Sequence, residues 1–377
     1  KEAVIANCAT GMSVKQAEEK FHKAYPSMAA MKEGFPPFGA DAVRFYLASH
    51  PPQSRKINLN LARLQGYRDF CNKIWNATRF ALTHIHDVTE RPRGDFPKPE
   101  SLAERWVLSR LARAVSEVTR GLEEFRLDEA TAAIYQFFWY ELCDWFLELC
   151  KPVFEGGSDE AKRSYKLTLA HCLETSHRLL HPFMPHLTEE CWSHLPENVR
   201  RRQSDGELSA ALAVTPFPAA RDGQRDEDAE RRMEAVQGAI ESVRRICGEL
   251  GIKPGAAISV TLRTRDASVL TSLREYEGAI RRLTRAKEVS FVELTGESER
   301  PRAVGYAVSH GVEALIPLAG HIDPAAEGKR LEKDIAKTRK EAEGIAKRLE
   351  NKDFIARAPA DVIEKDRARL GELHDRV

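Results

Sequence analysis

The stretch Gly66-Tyr-Arg-Asp-Phe-Cys-Asn-Lys-Ile-Trp-Asn-Ala-Thr-Arg-Phe80 holds no proline, and no glycine after its first residue. Its apolar residues recur at helical spacing, which predicts the interior of a long helix. The same spacing continues outward from it, from Gly39 to about Leu195, most plainly in Trp106, Leu108, Leu111, Val115, Val118 and Leu122. The interruptions carry turn chemistry: Pro51-Pro52, Arg91-Pro-Arg-Gly-Asp and Phe154-Glu-Gly-Gly-Ser. Roughly four or five helices fit between them, so residues 39–195 are expected to form an α-helical bundle.

On the N-terminal side, residues 1–38 are polar and end near Pro36-Pro37, which predicts a connector with one short helix from about Val14 to Tyr25. On the other side, residues 196–225 read as an extended linker. A helix from Asp228 to Leu250 follows, stopped by Gly251. The period then switches to two in Ile258-Ser-Val-Thr-Leu, Val289-Ser-Phe-Val-Glu-Leu, Tyr306-Ala-Val and Glu313-Ala-Leu-Ile-Pro-Leu, with a helix from Ala267 to Leu283 between the first two. This predicts a small α/β domain over 226–323. In 324–377, Leu331, Ile335, Thr338, Ala342, Ile345 and Leu349 step by three and four. Ile363, Asp366, Leu370, Leu373 and Val377 do the same beyond Pro359, which no helix runs through. The fold class expected is therefore mainly α: a helical bundle, a small α/β domain and a C-terminal antiparallel coiled-coil hairpin.

The 377 residues suggest two or three domains, and 42% hydrophobic with 31% charged residues describe a globular chain rather than a disordered one. No apolar run reaches the length of a membrane span. The chain starts at Lys1 without a signal-peptide layout, which suggests a piece of a longer cytoplasmic protein. Its 7 cysteines, Cys8, Cys71, Cys143, Cys150, Cys172, Cys191 and Cys247, are odd in number and form no C-x-x-C, which fits reduced thiols in the cytosol. With Lys plus Arg at 58 and Asp plus Glu at 57, any pull on nucleic acid has to be local.

One such excess exists. Between Pro51 and Phe80 stand Arg55, Lys56, Arg63, Arg68, Lys73 and Arg79 against the single acid Asp69. Tyr67, Phe70 and Trp75 are interleaved with them. Cations beside rings suit single-stranded nucleic acid, the cations holding phosphates and the rings stacking on bases. The same residues also fit an amphipathic helix with solvated bases and core aromatics, and Trp75 and Phe80 look like core. His171, Cys172, His177, His181, His186, Cys191 and His194 cluster in sequence, but no four-ligand spacing closes, and helix-end and core roles fit them better than a metal site. Gly11-Met-Ser-Val-Lys lacks a phosphate cradle, and no catalytic constellation assembles.

Gly39-Ala-Asp-Ala-Val-Arg-Phe, Gly66 to Phe80, Trp106-Val-Leu-Ser-Arg-Leu, Phe125-Arg-Leu-Asp-Glu-Ala, Trp139-Tyr-Glu-Leu-Cys-Asp-Trp145 and Leu180-His-Pro-Phe-Met-Pro-His-Leu-Thr-Glu-Glu-Cys-Trp192 stand in the order of a known family. Together they resemble the C-terminal half of the class I aminoacyl-tRNA synthetases, in the valyl-tRNA synthetase branch. The terminal segment with Asn351-Lys-Asp-Phe-Ile-Ala-Arg-Ala-Pro resembles that branch's C-terminal coiled coil. Pro51-Pro-Gln-Ser-Arg-Lys departs from it, standing where an acidic turn is common, and His186 stands where an aromatic residue is usual.

The resemblance implies an anticodon-binding bundle, with tRNA(Val) and an upstream catalytic domain of the same polypeptide as partners, and neither membrane nor DNA. Phe70 is then expected to stack on an anticodon base. Arg63, Arg68 and Lys73 would meet phosphates or base edges, with amide contacts from Asn72 or Asn76. Lys333, Lys337, Lys340, Lys347 and Arg348 would meet phosphates at the outer corner of the tRNA, although Glu332, Asp334, Glu341 and Glu343 among them also fit a salt-bridged, solvated face. No cofactor or metal is expected in the chain itself. ATP and Mg belong to the parent enzyme, whose nucleotide-binding and editing domains lie upstream, so the chain alone is expected to be inactive. The alternatives are a freestanding non-catalytic paralogue that binds RNA or protein, and a purely structural coiled-coil adaptor.

Overall fold

The computed structural model describes residues 13, 15–17, 19, 37–52, 57, 59–88, 97–200, 208–220, 223–253, 256–295, 302–320, 324–351 and 360–376. Most of the expected connector and of its helix, Arg55, Lys56 and the turn from Lys352 to Pro359 fall outside them. The chain divides into two compact units, residues 1–233 and 234–377. That boundary falls inside a helix.

The first unit is helical: α1 (Ala40–Ala48), α2 (Leu61–Ile85), α3 (Leu102–Glu123), α4 (Leu127–Tyr135), α5 (Leu147–Gly156), α6 (Asp159–Leu180), α7 (Pro185–Ser193) and the start of α8 (Glu227–Glu249). Side chains close the helix starts where the sequence has turns. Asn60 caps α2 by accepting the Arg63 N–H at 3.0 Å, Ser101 and Glu104 form a reciprocal capping box on α3, and Ser158 caps α6. The start of α7 has no local cap. Asp41 of α1 supplies one, accepting the Leu187 N–H at 2.6 Å, while Arg44 donates to the Phe183 and Pro182 carbonyls at 3.2 and 3.0 Å. Two sequence motifs nearly 150 residues apart are joined by these bonds. Between α4 and α5 the eleven residues Gln136–Phe146 are wound as a π-helix, which hydrophobic spacing gave no means of foreseeing.

Burial of polar groups is organised by ion pairs and hydroxyls. Glu104 is fully buried and accepts from Ser164 and Thr168 at 2.5 and 3.0 Å. Glu230, at the start of α8, accepts from Ser109, Arg110 and Arg113 at 2.5, 3.1 and 2.7 Å. Each lone pair taken in this way offsets the cost of removing a carboxylate from water.

The second unit holds a four-stranded sheet of order β2-β1-β4-β3, with β1 (Ser259–Thr264), β2 (Glu288–Glu293), β3 (Val304–Ser309) and β4 (Val312–Pro317). β1 and β2 run parallel, and β4 is antiparallel to both β1 and β3. The β3–β4 turn places His310 and Gly311 at φ 47 and 72, the signs a tight two-residue hairpin needs. The single helix expected from Ala267 to Leu283 is two, α9 (Ala267–Glu275) and α10 (Glu277–Thr284). Tyr276 leaves helical geometry at φ −96 and ψ 17, and its side chain is buried. α8 lies close on this sheet: a Cβ on Gly305 would stand 2.4 Å from Ile246, and one on Gly238 2.7 Å from both Ser309 and His310.

α11 (Pro324–Glu350) and α12 (Ala360–Arg376) pack through Ala342, Ile345 and Leu373, with Leu349 and Leu370 alongside. The pairs Arg369 with Glu341 and Arg348 with Asp366 run in opposite directions along the two helices, as an antiparallel arrangement requires. Among the described residues no helix is long and apolar enough to cross a membrane.

Candidate nucleic-acid interface

Packing sorts α2 into two faces. Leu64, Phe70, Ile74, Ala77, Ala81 and Ile85 are buried, and Phe70, at 0% exposure, sits among Phe45, Tyr135, Phe138 and Trp139 at ring separations of 4.7–5.9 Å. The expectation that Phe70 stacks on a base is therefore corrected: its faces are already covered by protein rings. Trp75, read from the sequence as core, is 37% exposed and meets only the edge of His194, 6.3 Å away between centroids, among the described rings.

The cations divide too. Arg63 donates to the Ser49 carbonyl and hydroxyl, both at 3.1 Å, and to the Tyr67 hydroxyl at 3.2 Å. Lys73 pairs with Asp144 at 2.5 Å and lies 4.2 Å from the centre of the Trp139 ring. Both brace the bundle. Arg68 is half-buried, while Asn72, Asn76 and Arg79 are exposed, and the side chain of none of the four has a hydrogen bond or ion pair with another described residue. At 3.6 residues per turn, Arg68, Asn72, Trp75, Asn76 and Arg79 fall within an arc of about 100°. The structure thus brings together two cations, two amides and one ring on the side of α2 away from Phe70. Trp75 and Arg79 are the members of this stripe that the sequence reading left out. The signal was present: Phe70, Ile74, Ala77, Ala81 and Ile85 step by four, three, four and four, and Trp75 lies off that seam.

The inward face also explains the histidine cluster. His177 is fully buried, its Nε2 3.1 Å from the Thr78 hydroxyl. That hydroxyl also lies 2.9 Å from the Ile74 carbonyl, to which it donates, and His177 Nδ1 is left without a partner among the described residues. Burial alone pushes the His177 pKa down from 6.5 to about 3. His181 meets the Thr188 hydroxyl at 2.8 Å, and burial raises Cys172 and Cys150 well above an ordinary thiol. Among the described residues no group of three or more His, Cys, Asp or Glu is placed to hold a metal.

On α11, Lys333, Lys337, Lys340, Lys347 and Arg348 are all exposed. The four lysines occupy an arc of about 80°, on the side away from Ala342, Ile345 and Leu349, while Glu332, Glu341 and Glu343 fall on its flanks. Arg348 is the exception, held 3.4 Å from Asp366.

Residues 104–262 match the family described as the anticodon-binding domain of tRNA ligase, and residues 323–377 match the valyl tRNA synthetase tRNA binding arm. The α2 stripe precedes both matches, whereas the α11 lysines lie within the second. The valine–tRNA ligase of Syntrophotalea carbinolica is 38% identical over 90% of this chain and 37% of its own length. That of Acinetobacter baylyi is 36% identical over 97% of this chain and 37% of its own length, and that of Chromobacterium violaceum 33% identical over 100% and 38%. The chain thus spans little more than a third of the length of the relatives it matches. Two family matches in succession, and relatives aligned along nearly all of its residues, place this chain in the valyl-tRNA synthetase family, as the counterpart of its C-terminal part.

Proposed function

We propose that this chain is the tRNA-binding part of a valine–tRNA ligase, holding tRNA(Val) for ATP-dependent aminoacylation by a catalytic domain of the same polypeptide. The observation that carries the reading is the stripe on α2. An exposed indole between two amides and two guanidinium groups, none of these four with a side-chain partner among the described residues, supplies a stacking surface, base-edge donors and acceptors, and phosphate partners within one helix face. Trp75 stacks on a base of the anticodon loop, Asn72 and Asn76 meet base edges, and Arg68 and Arg79 meet phosphates. α11 and α12 act as a coiled-coil hairpin whose lysine face, with no rings, takes backbone phosphates without regard to sequence. Nothing in the chain is assigned to bond making, so its contribution to the reaction is placement of the RNA.

The test is the affinity of the 377-residue chain for tRNA(Val) and for the same tRNA with its anticodon bases replaced, at one fixed salt concentration. Tighter binding to the native anticodon, with the difference abolished by Trp75→Ala, is the expected result. Equal binding to both RNAs by the unaltered chain would remove the anticodon from the reading.

A further inference from the structure

A second set of cations surrounds a depression in the α/β unit, where α8 ends, the chain turns toward β1, and α10 closes. It has a volume of about 470 Å³, within the range of roughly 300–1,000 Å³ that small-ligand sites occupy. Arg244, Lys253 and Arg285 line it together with Cys247, and none of its lining residues is acidic or aromatic. Arg244 is oriented by donating its Nε–H to the Leu283 carbonyl at 3.1 Å, which leaves both of its Nη groups available. Lys253 and Arg285 are exposed and have no carboxylate partner among the described residues. Arg285 also stands in the left-handed region, at φ 58, where glycine would be free of strain. A non-glycine residue kept in that conformation at the rim of a depression points to a use for its side chain.

We propose that this depression is a phosphate-binding site for the RNA backbone, formed by Arg244, Lys253 and Arg285, and that the α/β unit is thereby a third RNA contact beside α2 and α11. The proposal rests on the reading that the chain binds tRNA. Three cations around one concavity, without an acid among its lining residues to neutralise them, hold an anion. With no ring in the lining to stack on a neutral base, the group it holds is the anionic backbone phosphate. Arg285 lies outside both family matches, which end at residue 262 and resume at 323. Cations at the ends of α8 and α10 also complement the helix dipoles, and that rival explanation predicts an effect on stability alone.

The experiment measures tRNA(Val) affinity of the 377-residue chain between about 50 and 200 mM salt, for the unaltered protein, for Lys253→Ala/Arg285→Ala and for Trp75→Ala, with thermal unfolding of each. Each phosphate contact contributes about 0.7–0.9 to the slope of log affinity against log salt. The double variant should therefore lose between about one and two units of slope, and affinity about tenfold or more at low salt, whereas Trp75→Ala lowers affinity at unchanged slope. An unchanged slope in the double variant overturns the proposal while leaving the tRNA reading intact, and a lowered Tm with an unchanged slope assigns the cations to the helix ends. No binding by the unaltered chain overturns both. A second readout uses Cys247 as a reporter: peptide-resolved alkylation should slow when tRNA is bound, and an unaltered rate argues against occupancy of the depression.

Discussion

α2 and α11 are both rich in cations, yet the two helices make them available in opposite ways. α2 carries a wide apolar face, and two of its cations, Arg63 and Lys73, turn back onto Ser49, Tyr67, Asp144 and Trp139. α11 has a narrow seam of Ala342, Ile345 and Leu349, and its lysines stand opposite it in open solvent. A segment's net charge is therefore a poor guide to the charge a ligand meets. The position of each cation relative to the buried seam decides, because a side chain flanking the seam finds protein partners while one opposite it finds water. The excess of base that draws attention to α2 is partly internal bracing, whereas the balanced composition of α11 conceals an outward lysine face.

The strongest way to break this comparison is Phe70→Ala. If the ring is core, unfolding free energy falls by about 3–5 kcal/mol in a denaturant titration. A loss confined to RNA binding, with stability intact, would return Phe70 to the surface. The same inward face is probed by pH through His177. Its folded pKa, about 3, lies below its unfolded value near 6.5, so the unfolded chain binds the proton first and stability is lost as pH falls below 6.5. The cost reaches about 3 kcal/mol at pH 4.5. His177→Gln should flatten that part of the stability profile; an unchanged profile would mean that other groups set it.

On the outward face, Trp75→Ala should weaken tRNA(Val) binding by about 1–3 kcal/mol, the usual worth of one base stacked on a ring, and leave the Tm nearly unchanged. Binding unaffected by this change would make the indole a merely exposed core residue. The smallest effect separates α2 from α11. Lys337→Ala and Lys340→Ala should each flatten the salt dependence by about 0.7–0.9, equally for every tRNA tested. A dependence on anticodon identity in these variants would mean that α11 reads sequence as well.

Much of the architecture could be read from period and punctuation. The helix starts at Asn60, Ser101 and Ser158 fall where polar capping residues follow turns, and the alternating runs from Ile258 onward became strands. What escaped was tertiary. Buried Tyr276, at φ −96 and ψ 17, divides a run that helical spacing carries through, and no periodicity marks the break. The cap of α7 comes from Asp41, a residue that no local pattern relates to it. In the candidate site, the resemblance singles out Phe70 as the offered ring, although the apolar steps through Ile74, Ala77 and Ala81 already put Phe70 inside. The partners of Arg63 and Lys73 lie on Ser49 and Asp144, and only the folded chain shows that these two cations are occupied.

The closeness of α8 to the sheet at Gly238 and Gly305 bears on how variants of this chain should be screened. Neither position has a side chain to lose, so a ranking by buried area would pass over both. A methyl group at Gly305 would still have to displace Ile246, and one at Gly238 would collide with Ser309 and His310. In a library scored for folded protein, Gly305 should be the more restricted of the two, because Ile246 and Leu250 both stand within 3 Å of the added methyl, whereas the Ser309 hydroxyl and the exposed His310 ring can turn away from Gly238. The spacing of two structural layers is in effect written as the absence of an atom.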